Sequence, residues 1–211
     1  MRITVFGATG QLGRQCVRQS LDAGHSVTVL ARTPAKLNDD LRRRVEIVEG
    51  DALHEDDVLR ALDGAEAVLF AVGVDKNSPE NLCTDVTRLI LDAMPGSGID
   101  RFIWCGGGST YVDGDSSNAG ARFVRWFARR FMGLRHRDKD HQLVLLQQRT
   151  DVDWYGVRPL QMRKGDRTSD YRLGMHAFSG MSKISFSDCA EAMLGMLDDD
   201  TWRHQAPIVQ Y

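Results

Sequence analysis

Short apolar runs alternate along this chain with longer stretches of helical period. Ile3, Val5 and Phe6 predict a strand that almost no polar residue interrupts, and an amphipathic helix follows from Leu12 to Ala23. Gly24-His25 is a turn, and Ser26 to Ala31, Val45 to Val48, Glu66 to Val72 and Ile99 to Cys105 predict further strands. One helix is expected to begin near Glu55. Another, Pro79 to Met94, carries Leu82, Val86, Leu89 and Ile90 on one face and is stopped by Pro95-Gly96-Ser97-Gly98. A helix from Asp140 to Arg149 leads into a sixth strand, Asp153 to Val157. The pattern then thins to short strands at Tyr171–Leu173 and Lys183–Phe186, a helix from Asp188 to Leu197 and a closing strand at Pro207–Tyr211. Strands and helices in this alternation predict a parallel sheet covered on both faces.

The first strand runs straight into Gly7-Ala-Thr-Gly10-Gln-Leu-Gly13, and the helix starts within it. Strand, glycine-rich turn and helix start are the context a dinucleotide-binding motif requires. Gly7 suits the tight turn, Gly10 removes a Cβ where backbone approaches a diphosphate, and Gly13 lets the helix lie close on the sheet. The first free amides of the helix, with the positive end of its dipole, then face the diphosphate, and Thr9, Gln11 and Leu12 lie among them. The fold expected is therefore α/β, a single Rossmann-like doubly wound parallel sheet with helices on both faces.

In such sheets ligands lie beyond the carboxyl ends of the strands, so the residues there are the candidates. At the end of the second strand no acid is present to take a ribose 2′-hydroxyl, and Arg32 stands there instead. A guanidinium matches phosphate geometry, which points to NADP(H), with Lys36 as a possible second charge. Asp51 is read either as bordering the adenine, beside Ala52, or as the N-cap of the next helix. Gly73 permits close backbone approach, and Gly106-Gly107-Gly108-Ser109 leaves the fifth strand either as a flexible loop or as the carrier of a catalytic Ser109.

Composition narrows the class. The chain has 211 residues, 42% hydrophobic and 27% charged, with a formal net charge of −2, which gives no reason to expect nucleic acid or an anionic membrane as a partner. Cys16, Cys83, Cys105 and Cys189 are widely separated, which argues against a metal site and fits a reducing cytoplasm. The first strand leaves no room for a signal peptide, and no apolar run approaches a transmembrane segment. Residues 121–132 stand apart. Phe123, Trp126, Phe127 and Phe131 share a helical face, with Arg122, Arg125, Arg129 and Arg130 largely opposite. Such a helix places its aromatics in the core or over a pocket, or else holds a partner or a membrane surface.

Gly7 to Gly13, Ala31-Arg-Thr-Pro34, Gly50-Asp51, Asp153-Trp-Tyr-Gly-Val-Arg-Pro159, Arg167 to Gly174, Ser182 to Ser185 and the terminal Ile208-Val-Gln-Tyr211 together resemble the atypical short-chain dehydrogenases. The similarity is strongest to the flavin reductase (biliverdin reductase B) group and its bacterial NAD(P)H-binding relatives. The resemblance implies one domain over residues 1–211, with 160–211 contributing a substrate-side cap, and NADPH-dependent reduction of a small planar acceptor such as a flavin or quinone. It implies that the glycine loop and Arg32 hold phosphates, that Asp51 and Ala52 flank the adenine, and that Gly73 and Pro159 lie along the ribose and nicotinamide. The chain departs from that group at Gly106–Gly108, which displaces a Ser-containing turn, and at Gln161, which stands where the group has His.

A Tyr-x-x-x-Lys pair is also missing, because Tyr111, Tyr155 and Tyr171 are followed four residues on by Asp115, Pro159 and Met175. Simple alcohol oxidation is thereby disfavoured. Ser109 and His141 remain as candidate proton donors. Two further readings stay open, a non-catalytic NADP(H) sensor and an isomerase using tightly held NADP. Either a monomer or a homodimer is expected.

Overall fold

The computed structural model describes residues 1–75, 77–108, 110, 112, 126, 130, 133–175 and 183–211. The first strand, β1 (Arg2–Phe6), occupies the middle of the sheet. Parallel to it on one side lie β2 (Ser26–Ala31) and then β3 (Glu46–Glu49). On its other side come β4 (Ala67–Phe70), β5 (Arg101–Cys105) and β6 (Trp154–Pro159), also parallel. The chain therefore reverses its direction of strand addition between β1 and β4. Registers Phe6↔Leu30, Phe6↔Phe70, Phe70↔Trp104 and Cys105↔Val157 bring the carboxyl ends of these strands to one rim.

Because strand side chains alternate, each face of the sheet receives its own core. Ile3, Val5, Val29, Leu69 and Ile103 point to the face covered by α1 (Gln11–Asp22) and α6 (Phe186–Gly195). Phe6, Leu30, Val68, Phe70, Phe102 and Trp104 point to the face covered by α3 (Glu55–Leu62), α4 (Leu82–Ala93) and α5 (Gly133–Gln148). Thr4, the polar residue of β1, is buried on this second face and donates to the Ala61 carbonyl at 2.7 Å. The four-residue α2 (Asp39–Arg42) precedes β3. Among the described residues, no helix is long and apolar enough to cross a membrane.

Two helix starts differ from the sequence expectation, and a long-range contact accounts for the first. α4 begins at Leu82 rather than Pro79, and α5 at Gly133 rather than Asp140. The first-turn amides of Cys83 and Thr84 donate to the fully buried carboxylate of Asp138, at 2.8 and 2.9 Å. A cap supplied from another helix leaves no local trace. Gln142 repeats the link, donating to Thr87 Oγ1 at 2.7 Å.

The tail enlarges the same sheet. β10 (Ile208–Gln210) runs parallel to β6 and antiparallel to β8 (Arg172–Gly174), while β7 (Gln161–Arg163) and β9 (Lys183–Ser185) form a separate parallel pair. α6 lies against α1, where Gln19 Nε2 donates to the Ser187 carbonyl at 2.8 Å. Asp188 ties this region together. Its carboxylate accepts the amides of Thr168 and Ser169 at 2.7 and 2.9 Å, and the hydroxyls of Ser185 and Tyr211 at 2.8 and 2.5 Å.

Burial alone would raise the Asp188 carboxyl, but the hydrogen bonds from Tyr211, the Ser169 amide and Ser185 outweigh it and hold the group at about 2, below the usual 3.8. A carboxylate depressed in the folded state contributes stability above its unfolded value and loses it as pH falls toward the folded one. The wild-type protein should therefore lose unfolding free energy between about pH 4 and pH 2. Asp188→Asn should be less stable at neutral pH by on the order of 2–3 kcal/mol and should lack that portion of the acid dependence, as measured by denaturant titration.

Candidate functional site

Gly7 leaves β1 with φ of +84°, a conformation open to glycine and strained for other residues. A Cβ there would lie 2.6 Å from the Ala71 carbonyl, so the loop passes directly over the exit of β4, at the point where strand order reverses. The Gly7 carbonyl then accepts the Gly10 amide at 2.9 Å, closing the turn. A Cβ on Gly13 would stand 2.1 Å from that same carbonyl. Gly13 thus seats the helix on the loop itself, a closer approach than the packing on the sheet expected from its position in the motif.

The consequence lies at the start of α1. Gly10 is the N-cap and provides no side-chain bond, the first turn holds no acidic residue, and the Arg14 amide is the first to bond back along the helix, to the Gly10 carbonyl at 3.0 Å. The amides of Gln11, Leu12 and Gly13 are therefore available at the positive end of the helix dipole. Gly10 and Gln11 are exposed, Thr9 is half-buried beside them, and Leu12 sends its side chain into the core and offers only its backbone. This is a fit for a diphosphate.

At the exit of β2, Arg32 stands with its side chain 71% exposed, and its guanidinium is 4.0 Å from the Asp51 carboxylate. Lys36 ends a short 3₁₀ turn, Pro34–Lys36, and is exposed. Asp51 is not the N-cap of α3: His54 holds that position. Instead Asp51 Oδ1 accepts the Leu53 amide at 3.0 Å, and the Asp51 amide donates to Asp57 Oδ2 at 2.8 Å. The Asp57 carboxylate lies where a Cβ on Gly50 would fall, 2.5 Å away, so glycine at 50 lets α3 clamp this turn. Arg60 first, and then the Asp51 amide, hold the Asp57 carboxyl below its usual range. Ala52 is half-buried alongside.

The other end of the rim is built around Trp104. A Cβ on Gly106 would collide with its ring at 2.4 Å, and one on Gly156 with its indole nitrogen at 2.3 Å, so both glycines make room for one buried side chain. The flexible-loop reading of Gly106–Gly108 does not hold. The Gly106 amide donates to the Val157 carbonyl at 2.8 Å and the Gly108 amide to the Pro159 carbonyl at 2.9 Å, extending the ladder between β5 and β6. Arg158, fully buried, fastens Thr110 to the closing strand region by donating to the Thr110 and Ala206 carbonyls, each at 2.5 Å. Pro159 itself is buried in β6, and Gly73 faces open space.

Lys139 was not singled out from the sequence. Its ammonium donates to the Cys105 carbonyl at 3.0 Å, the Val72 carbonyl at 3.4 Å and Gln142 Oε1 at 3.1 Å, and lies 5.4 Å from the Phe70 ring centroid. It therefore stands at the carboxyl ends of β4 and β5, beside Gly73 and Gly106. In sequence it falls just ahead of the helix expected from Asp140, so no local signal marks it. His141, two residues on, does not join it. It is exposed and lines a groove between α4 and α5 with Asn81, Thr84 and Arg88. Ser109 lies outside the described residues, as does most of the 121–132 segment, of which Trp126 and Arg130 are described and exposed.

Known proteins place this geometry. Residues 7–200 match the family model described as NAD(P)H-binding. The uncharacterised protein YwnB of Bacillus subtilis (strain 168) is 26% identical over 207 residues, covering 94% of this chain and 92% of YwnB. A Streptococcus pneumoniae TIGR4 protein, described as a candidate NADH-flavin reductase, superposes with a TM-score of 0.76 at 24% identity over 100% of this chain and 99% of its own. ChuY of Escherichia coli O157:H7, an anaerobillin reductase, superposes with a TM-score of 0.81 at 17% identity, covering 100% and 97%.

Two glycines should separate structure from ligand approach. Gly13→Ala should lower stability by about 1–3 kcal/mol, because its methyl has only backbone to displace. Gly73→Ala, with nothing within 4 Å, should melt with the wild type and lose affinity for a nicotinamide dinucleotide. Melting curves and a binding titration of both variants check the pair.

Proposed function

The chain belongs to the NAD(P)H-binding family, and on that premise we propose that it is an NADPH-dependent reductase of a small planar acceptor such as a flavin or quinone, acting in the cytoplasm. The observation that carries this reading is the uncapped first turn of α1, held over the β1–β4 reversal by Gly7 and Gly13, with Arg32 at the neighbouring strand end. The amides of Gln11, Leu12 and Gly13 take the diphosphate. Arg32 takes the 2′-phosphate, exchanging its long contact with Asp51 for a charge-assisted one. Asp51 and Ala52 border the adenine, and Gly73 and Pro159 flank the ribose and nicotinamide. The reduced nicotinamide, when bound, supplies a hydride.

The rest falls to side chains at the nicotinamide end. Hydride arrival leaves an acceptor with an added electron pair, and Lys139 is the cation at the β4 and β5 ends positioned to stabilise it. No Tyr-Lys pair is needed for this chemistry, since aligning two planar rings in a dry site does most of the work. The ribbon of β7 and β9, which follows directly from β6, forms the cap on the substrate side. Names of similar proteins support the acceptor class: one is described as a candidate flavin reductase and another as an anaerobillin reductase.

Three measurements test this reading. Purified protein should oxidise NADPH in the presence of FMN or a quinone; tight NADP(H) binding with no turnover across such a panel would replace the reductase with a nucleotide sensor. Arg32→Ala should weaken NADPH by roughly 1.5–3 kcal/mol, more than tenfold, while sparing NADH. Lys139→Met should lower kcat on the order of tenfold to a hundredfold with little change in NADPH affinity, as read by steady-state kinetics beside a direct titration.

A further inference from the structure

Arg14 follows Gly13 in the first turn of α1, and its side chain reaches the turn that follows β2. Its Nη2 donates to the Lys36 carbonyl at 2.6 Å, spanning from α1 to the turn four residues beyond Arg32. One of five N–H groups is used in this way. The Nε is buried without a hydrogen-bond partner. Among the described residues no carboxylate answers the charge either. Nearby, Arg18, Arg42 and Arg44 each have an aspartate within 4.0 Å, whereas Arg14 and Lys36 have none among the described residues. Arg32 has only the long contact to Asp51.

Arg32 thus stands at the end of β2 and Lys36 four residues on, in a backbone segment that Arg14 holds in place, and among the described residues Asp51 is the one carboxylate within 4.0 Å of any of the three. Like charges gathered on a fixed turn repel, and a dianion placed among them removes that cost while giving the spare donors of Arg14 an acceptor. We propose that Arg14 is a specificity-determining residue for the 2′-phosphate of NADPH, acting with Arg32 and Lys36. This rests on the NADPH reading above and extends it to a residue outside the strand-end position that ordinarily reports coenzyme choice. Arg14 does two things at once: it fixes the turn that carries Lys36, and it presents the remaining edge of its guanidinium to the phosphate. A lysine has one nitrogen and cannot do both as well.

Calorimetric titration at fixed low salt, with adenosine 2′,5′-bisphosphate, 5′-ADP, NADPH and NADH as probes, tests this. Arg14→Gln loses the charge and keeps an amide donor, set two bonds nearer the backbone than the Nη2 that meets the Lys36 carbonyl. It should bind the bisphosphate and NADPH roughly tenfold or more weakly, with 5′-ADP and NADH changed less than about twofold. Arg14→Lys, which keeps the charge, should fall between. Parallel losses for all four probes would make Arg14 a loop tether only, and no loss for any would remove it from the site; either overturns the proposal while leaving the NADPH reading intact. Should Arg14→Gln fail to fold, the ratio of bisphosphate to 5′-ADP affinity in Arg14→Lys decides, an unchanged ratio overturning the proposal. A wild-type protein with no preference for NADPH over NADH refutes the NADPH reading itself, and this proposal with it.

Discussion

The site depends on a contact that no side chain could make. The Gly7 carbonyl is met from one side by the Gly10 amide and from the other by the bare Cα of Gly13. Any Cβ at position 13 would have to share that carbonyl's space. This closeness brings the helix start over the carboxyl ends of β1 and β4 with its first amides unclaimed by the protein. A ligand with several anionic oxygens satisfies those amides and the dipole together.

The rest of the molecule can be read as support for that corner. Residues of β1 alternate between two cores, so the strand that launches the loop is held from both sides, each buried large side chain contributing on the order of 1.5–3 kcal/mol. α6 and its Asp188 network brace α1 from behind, and the C-terminal tyrosine hydroxyl is one of the donors to that carboxylate. On the opposite face, Asp138 and Lys139 are neighbours on α5 with separate tasks. One caps α4, and the other reaches the strand ends. Positive groups stand at both ends of the rim, Arg32 with Lys36 beyond β2 and Lys139 at the ends of β4 and β5.

What could be read from sequence was local. The glycine spacing, the strand runs and Arg32 at the end of β2 carry their meaning in their immediate neighbours, and the parallel sheet covered on both faces follows from alternation with helices. What could not be read depends on partners far along the chain. Asp138 caps residues 55 and 54 positions away, Lys139 meets a carbonyl 34 positions away, and Asp188 collects amides about 20 positions back. Of the two readings of Asp51, the cap does not hold, because His54 takes that position and Asp57 governs the turn. The triglycine after β5 looked loose in sequence, yet it is shaped by Trp104, whose bulk needs glycine at both 106 and 156. His141 had the right chemistry and the wrong face of its helix, two residues from the lysine that reaches the rim.

The central claim is that the opening amides of α1 grip the coenzyme's diphosphate. Backbone amide NMR of the full chain during addition of NADP⁺ tests it residue by residue. The account predicts that Gln11, Leu12 and Gly13 show the largest downfield shifts and saturate with one binding constant, followed by Arg32 and Gly73. Saturable shifts confined to the groove between α4 and α5, with the Gln11–Gly13 amides unmoved, would contradict it.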